Sequence, residues 1–359
     1  MMQFINRHDY THISLRTSDF GLIRYNYIMR YHLLTFLLLP MLAVGQTDQL
    51  QKEIITKDQL EELVSFLASD QMQGRRNGSP EMKNAASWIS RKFSEAGLKP
   101  VPGNATFFSD YSYTSRQSIV NEKNVIGFIE GSDPGLKDEF IVLSAHFDHI
   151  GLRKGNPADS VCNGADDNAS GTATLIGIAR WIRESGIKPG RSIIFAAFSG
   201  EENGMRGSRY FVMTCPVPHE KIYANLNFEM TGHSELLGKK KYYMTGCLYS
   251  NLDDVIGEFN QSTDYRLIDT MKIANMLFNS SDNVAFSKIA QTDGVTTGIP
   301  SGTFATTALS DYLHNTTDEI ELFDLENMAA LVNHFSSVVL WLSKSKTEIV
   351  WTDPKMKRP

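Results

Sequence analysis

Three short apolar runs, Phe140 to Ala145, Ser192 to Phe198 and Leu226 to Phe228, each stop at or near a His or Glu, and this constrains the fold more than any other feature. With Asn124 to Glu130 they make a set of β-rich segments, two of them separated by a helix-like stretch from Thr172 to Ile182. Apolar runs alternating with helices imply a largely buried, mostly parallel sheet covered on both faces. Tyr242 to Cys247 adds a candidate strand, and Asp324 caps a final helix with Leu325, Met328, Val332, Phe335, Val339 and Leu342 towards the core. Ahead of the sheet, Thr56 opens a Thr-x-x-Gln capping box before Leu60, Leu63, Val64 and Leu67 at helical spacing. A polar, Gly-rich loop is expected from Asp70 to Asn77, then a second helix from its cap Ser79 and first-turn Pro80 to Gly97. Residues 98 to 123 read as loop and edge strand. No linker, repeat or composition break interrupts 50 to 345, so one domain is expected over 46 to 359.

The first 45 residues are read as lying outside that domain. Met29-Arg30, the apolar stretch Leu33 to Leu42 and the small residues Ala43-Val44-Gly45 have the layout of a signal peptide cut near Gly45/Gln46. The apolar core, Leu33 to Leu42, is too short for a bilayer of roughly 30 Å, so no membrane span is expected in the mature protein. Residues 1 to 28 are polar and patternless, and translation is expected from Met29. The destination would be the periplasm or the exterior. A net charge of −6 with no basic tract gives no nucleic-acid footprint. Cys162, Cys215 and Cys247 allow at most one disulfide, and their spacing does not fix a pair. Oligomeric state is likewise left open.

Chemistry gathers where the apolar runs end. The first leads into His146-Phe147-Asp148-His149, the second into Ser199-Gly200-Glu201-Glu202, the third into Glu229. Open α/β sheets bind ligands at the carboxyl ends of their strands, where loops share one crevice. The octet Gly164-Ala165-Asp166-Asp167-Asn168-Ala169-Ser170-Gly171 places two acids at a tight loop before a helix. Taken singly, each has an ordinary explanation: an Asp as N-cap, His146 as a capped strand end, Glu201-Glu202 as a solvated turn, His314 as a polar loop residue. Glu229 is harder to explain so, because an unpaired carboxylate after an apolar strand costs several kcal/mol when buried. Jointly they point to divalent metal. Zinc takes imidazole nitrogen and carboxylate oxygen, and an Asp between two ions neutralises both. In His146-x-Asp148 the strand period of two puts both side chains on one face, where Asp148 can fix the imidazole tautomer. Of the consecutive Glu201 and Glu202, one can bind metal while the other takes a proton from water.

The order and spacing of these motifs resemble the M28 family of zinc peptidases, the co-catalytic aminopeptidase group. The likeness takes in Leu67-Ala-Ser-Asp70 to Gly74-Arg75, Ala145 to His149, Gly164 to Gly171, Ser199 to Gly204, Gly207-Ser208, Asn227 to Met230 and the loop Asp311 to Asp318. It implies a three-layer α/β/α sandwich around a mixed sheet, two Zn2+ per chain and peptide substrates. Residue by residue, Asp166 would bridge the ions, Glu202 and His314 would complete one site, and His146 with Glu229 the other. Glu201 would be the general base, and the peptide bond after the bridging Asp, here Asp166-Asp167, is often cis in this family.

Two departures stand out. The family more often has Asp at the place of Glu229, and many members have Tyr directly before the last His, where this chain has Leu313. Tyr312, one residue further back, is then the candidate for the substrate oxyanion. Residues 98 to 123 are too few for a protease-associated insert. The expected function is an exported exopeptidase that removes N-terminal residues with metal-activated water. The alternatives are a dipeptidase or carboxypeptidase of the same family, a glutaminyl-cyclase-like acyltransferase, or a non-catalytic binding ectodomain. The chain has neither G-x-S-x-G nor H-E-x-x-H, which disfavours serine hydrolysis and the other zinc route.

Overall fold

The computed structural model describes residues 50–153, 159–269, 272–287, 289–290, 296–308 and 310–352. The leader expected over 1–45 lies outside them. The described residues, from Leu50 on, belong to one compact unit.

Helix α1 (Lys57–Leu67) starts at the capping box: Thr56 and Gln59 satisfy each other's backbone amides. Its apolar stripe, Leu60, Leu63, Val64 and Leu67, is buried. Helix α2 (Pro80–Glu95) follows its cap Ser79 and ends two residues before Gly97. Between them the expected loop is instead a 3-10 segment, Asp70–Arg75, with Gln73, Gly74 and Arg75 at positive φ. That turn swings the Arg75 side chain inward, where it is fully buried.

Strands β1 (Lys99–Pro100), β2 (Phe108–Ser115), β3 (Ser118–Ile129) and β4 (Phe140–His146) come next. The stretch expected as loop and edge strand is mostly an antiparallel hairpin, β2 on β3. Its turn residues Arg116 and Gln117 have φ of 45° and 67°, a conformation for which neither residue is a sequence signal. A small antiparallel ribbon, β5 (Gly151–Leu152) with β6 (Val161–Cys162), precedes a π-helical turn, Ala165–Ser170. Then come α3 (Gly171–Ser185), β7 (Ser192–Phe198), α4 (Arg206–Met213), β8 (Ile222–Phe228) and β9 (Lys241–Met244). The chain continues with α5 (Leu252–Asn260), β10 (Arg266–Ile268), α6 (Lys272–Leu277), α7 (Asn283–Phe286), β11 (Ile289–Ala290), β12 (Thr296–Thr297), β13 (Ser301–Ala305) and α8 (Leu325–Lys344).

The main sheet is nine-stranded and mixed, in the order β1-β3-β7-β4-β8-β13-β9-β10, with β2 attached to β3. Its centre, β7-β4-β8-β13, is parallel. Along β7 the side chains alternate between two cores. Ile193, Phe195 and Ala197 join the large cluster with α1, α2, α3 and α8. Ile194, Ala196 and Phe198 join a smaller one with Phe211 of α4 and Phe286 of α7. Both faces are therefore covered, giving the three-layer α/β/α fold. Strand β13 was not legible as an apolar run, because it is held by polar pairing: Asn227 Nδ2 donates to Thr303 Oγ1 at 3.0 Å, and Thr303 Oγ1 donates to Asn283 Oδ1 at 2.8 Å. Among the described residues no helix is long and apolar enough to cross a membrane.

Candidate active site

The sheet brings His146 and Glu229 together because β4 and β8 are parallel neighbours that end side by side. His146 is fully buried. Its Nδ1 lies 3.2 Å from the main-chain oxygen of Asp148, an acceptor only, so Nδ1 carries the proton. The lone pair on Nε2 then faces Asp167 Oδ1 at 3.3 Å, and Nε2 has no hydrogen-bond partner among the described residues. Glu229 receives a short hydrogen bond from Ser281 Oγ, and Ser281 Oγ in turn accepts from Asn227 Nδ2 at 2.9 Å. A polar chain under the site thus sets the Glu229 carboxylate.

The second set of groups comes from loops. Asp167 Oδ2 lies 3.2 Å from His314 Nε2 and 3.6 Å from His149 Nδ1. Glu202 spans the same two rings, Oε1 to His149 Nδ1 at 3.1 Å and Oε2 to His314 Nε2 at 3.0 Å. Potential ligand atoms therefore fall into two groups, His149/Asp167/Glu202/His314 and His146/Asp167/Glu229, each within 4.8 Å internally. Asp148 fixes the turn that carries Glu201 and Glu202. Its Oδ1 accepts from Glu201 N at 3.1 Å, and its Oδ2 from Glu202 N at 3.2 Å and Asn77 Nδ2 at 2.6 Å. With both oxygens engaged there, the Asp148 carboxylate stays 3.7 Å from His146 Nδ1, and its carbonyl fixes the tautomer instead.

The electrostatics mark this as a place that wants a cation. Burial pushes the Glu229 carboxyl up to about 7. Burial, with Glu229, Asp282 and Glu202 nearby, raises Glu201 well above the ordinary range. Hydrogen bonds to Asp167 and Glu202 raise His314 to about 10. Without an ion, His314 is driven to take up a proton to offset the carboxylates. The donor set, imidazole nitrogen and carboxylate oxygen with an unpartnered His146 Nε2 aimed inward, fits zinc. A cavity of about 240 Å³ opens at the site, lined by Asp167, Glu201, Glu202, Glu229 and His314 together with the apolar Met230, Leu277, Ala305, Ala308 and Leu313.

The profile of Peptidase family M28 matches residues 124–339. The chain belongs to peptidase family M28. A "Probable zinc metalloprotease" of Pyrenophora tritici-repentis is 30% identical over 195 residues, 50% of this chain and 43% of that protein. The "Leucine aminopeptidase 1" of Trichophyton rubrum is 28% identical over 205 residues, 54% of this chain and 52% of its own length. The M28 chain thus spans about half the length of the curated relatives it matches. In fold it is similar to the crystal structure of LapB from Legionella pneumophila, with a TM-score of 0.62, 20% identity, and coverage of 84% of this chain and 75% of that one.

Within this M28 site, two of the sequence assignments need correction. Asp166, given the place between the two ions, points away: its Oδ1 accepts from Gly232 N at 2.9 Å and its Oδ2 from Tyr312 Oη at 3.2 Å. Asp167 stands between the two groups instead. Asp318 decides this orientation, its two oxygens accepting from Asp166 N at 2.8 Å and Asp167 N at 3.0 Å. The cis bond moves with it and is Asp167-Asn168. Tyr312, expected near the substrate oxyanion, has its hydroxyl on Asp166 and Thr307 and its ring stacked on His233. Cys162 is a buried free thiol, so no disulfide braces the loop before Asp167.

Three residues near the site went unassigned in the sequence. His149 stood in the quoted motif, three positions from His146. Asp318 closed the quoted His314 loop. Arg75 donates to the carbonyls of Phe147, Leu67, Asn163 and Gly164, tying the two ligand-bearing segments together. The only signal for it was an arginine in a Gly-containing turn.

Proposed function

We propose that the chain is a di-zinc aminopeptidase that hydrolyses the first peptide bond of substrates with a free N-terminus and an apolar first residue. The observation that carries this is Asp167, whose two oxygens face two separate imidazole–carboxylate groups while Glu201, in neither group, stands beside them at the cavity. One ion would be held by Asp167, Glu202 and His314, the other by Asp167, His146 and Glu229. Bound zinc would polarise the scissile carbonyl and lower the pKa of water from 15.7 towards about 7.

The chain's own residues would do the rest. Asp148 holds the Glu201 backbone amide and so fixes the carboxylate's approach. Glu201, whose carboxyl is raised well above its usual range by burial, would accept the proton of the attacking water and return it to the leaving amine. The lining supports the direction. The cavity is lined by four carboxylates, Asp167, Glu201, Glu202 and Glu229, and among the described residues by no Lys or Arg that would receive a C-terminal carboxylate. Met230, Leu277, Ala305, Ala308 and Leu313 suit an apolar side chain, in keeping with the leucine aminopeptidase name of the Trichophyton rubrum relative. Export from a start at Met29, with a cut near Gly45, belongs to the same reading.

The test is a panel of free-amine, N-acetylated and C-amidated Leu-, Lys- and Glu-initiated peptides, assayed with chelator and after zinc is restored. Cleavage of free-amine Leu peptides alone, abolished by chelator and regained with zinc, is expected. Cleavage of N-acetylated peptides, or cyclisation of N-terminal glutamine without hydrolysis, would defeat it.

A further inference from the structure

We propose that His149 is a fourth protein ligand of the ion held by Asp167, Glu202 and His314, so that the two ions flanking Asp167 have unequal ligand sets, four against three. This rests on the two-ion reading above and adds a residue to the five ligands it uses. His149 Nδ1 is 3.1 Å from Glu202 Oε1 and 3.6 Å from Asp167 Oδ2, while His314 Nε2 is 3.0 Å and 3.2 Å from the same two carboxylates. Four donors around zinc at about 2.0–2.1 Å in a tetrahedron stand roughly 3.3–3.4 Å apart. The observed spacings straddle that value.

The ring is also built into this position. The His149 main-chain amide donates to Arg75 O at 3.3 Å, next to the guanidinium that holds Phe147 and Gly164. Gly164, at φ +59°, leaves room for the imidazole: a Cβ there would lie 2.5 Å from His149 Cγ. The far nitrogen, Nε2, is buried and has no hydrogen-bond partner among the described residues. No second contact therefore sets the tautomer, and whatever faces Nδ1 does. Glu202 alone selects a proton on Nδ1; an ion selects the Nδ1 lone pair and leaves the proton on Nε2.

Unequal ligand sets imply ordered loading, with the first equivalent at the four-ligand position. Metal-free protein given one equivalent of zinc is expected to show two imidazoles per zinc by X-ray absorption, and His149 is expected to move its proton to Nε2 by 15N NMR. Titration with Co2+ should resolve a tight and a weaker class. In His149→Ala the tight class is expected to weaken at least about 100-fold, beyond the 10–100-fold effect typical of a ligand's hydrogen-bonding neighbour. The weaker class should stay within a few-fold. Far-UV dichroism and melting of the metal-free variant separate loss of a ligand from loss of the fold, and the absorption and NMR readings need no variant. One imidazole per zinc at one equivalent, or His149 keeping its proton on Nδ1 when loaded, would overturn the proposal and leave it a hydrogen-bond donor to Glu202. A wild-type chain that binds fewer than two ions would instead sink the two-ion reading itself.

Discussion

The two groups of side chains that share Asp167 are made in different ways. His146 and Glu229 sit at the ends of adjacent parallel strands, and their positions follow from the register of β4 on β8. His149, Glu202 and His314 come from three loops, and His314 is 49% exposed at a φ of 56°. A strand end is fixed by the ladder below it. A loop is fixed only by what ties it down: Arg75 on the carbonyls around His149 and Gly164, Asp148 under Glu202, Asp318 under Asp167. The same metal chemistry can therefore be approached from a rigid side and from a side assembled by buried hydrogen bonds.

Asp167→Ala breaks the comparison outright, since both groups lose their common carboxylate. Metal content measured after dialysis against zinc is expected to fall from about two per chain to below one, with activity lost. Asp166→Asn is expected to keep both ions, because its side chain faces Gly232 and Tyr312. Metal loss in Asp166→Asn with retention in Asp167→Ala would reverse their roles.

Next in size is Glu201→Gln, which leaves both groups intact. Turnover should drop by about 10²–10⁴-fold, the usual worth of general-base catalysis, with metal content unchanged. A variant of near-normal kcat would remove Glu201 from the chemistry.

Protonation sharpens the contrast on the strand side. In the metal-free protein the Glu229 carboxyl is raised by burial from 4.5 to about 7, so the folded state holds its proton where the unfolded chain has lost it. Its contribution to stability is complete below about pH 4.5 and is lost as pH rises through about 7. Denaturant melts of metal-free protein across pH 4–8 should show this decline, and Glu229→Gln should flatten it. An unchanged slope in that variant would assign the decline to other groups. The smallest effect is expected at Tyr312→Phe, which removes a donor to Asp166 but no contact with either group. A few-fold change in kcat/KM is expected; a loss above about 100-fold would place the hydroxyl back at the reacting carbonyl, since a lost oxyanion donor costs about that much.

Legibility tracked the same division. His146, Glu201, Glu202 and Glu229 could be read because each ends or follows an apolar run, and a strand end in a parallel sheet is a ligand position by topology. Asp166 and Asp167 are adjacent in the chain and alike in chemistry, so spacing alone could not tell them apart. The Asp318 carboxylate, more than 150 residues away, holds both amides and so helps turn one side chain to the cavity and the other to Gly232. Tyr312 was misplaced for a related reason: an alternation argument assumes extended backbone, whereas the loop turns at His314.

Periodicity and short motifs are local properties of the chain, and from them the layered α/β fold, the strand ends at which chemistry collects and the family could be read. Which Asp stands between the two groups, that His149 joins them, and that Arg75 binds their loops were decided only by tertiary structure. These depend on buried hydrogen bonds between segments far apart in sequence, and no local pattern encodes where such a bond will form.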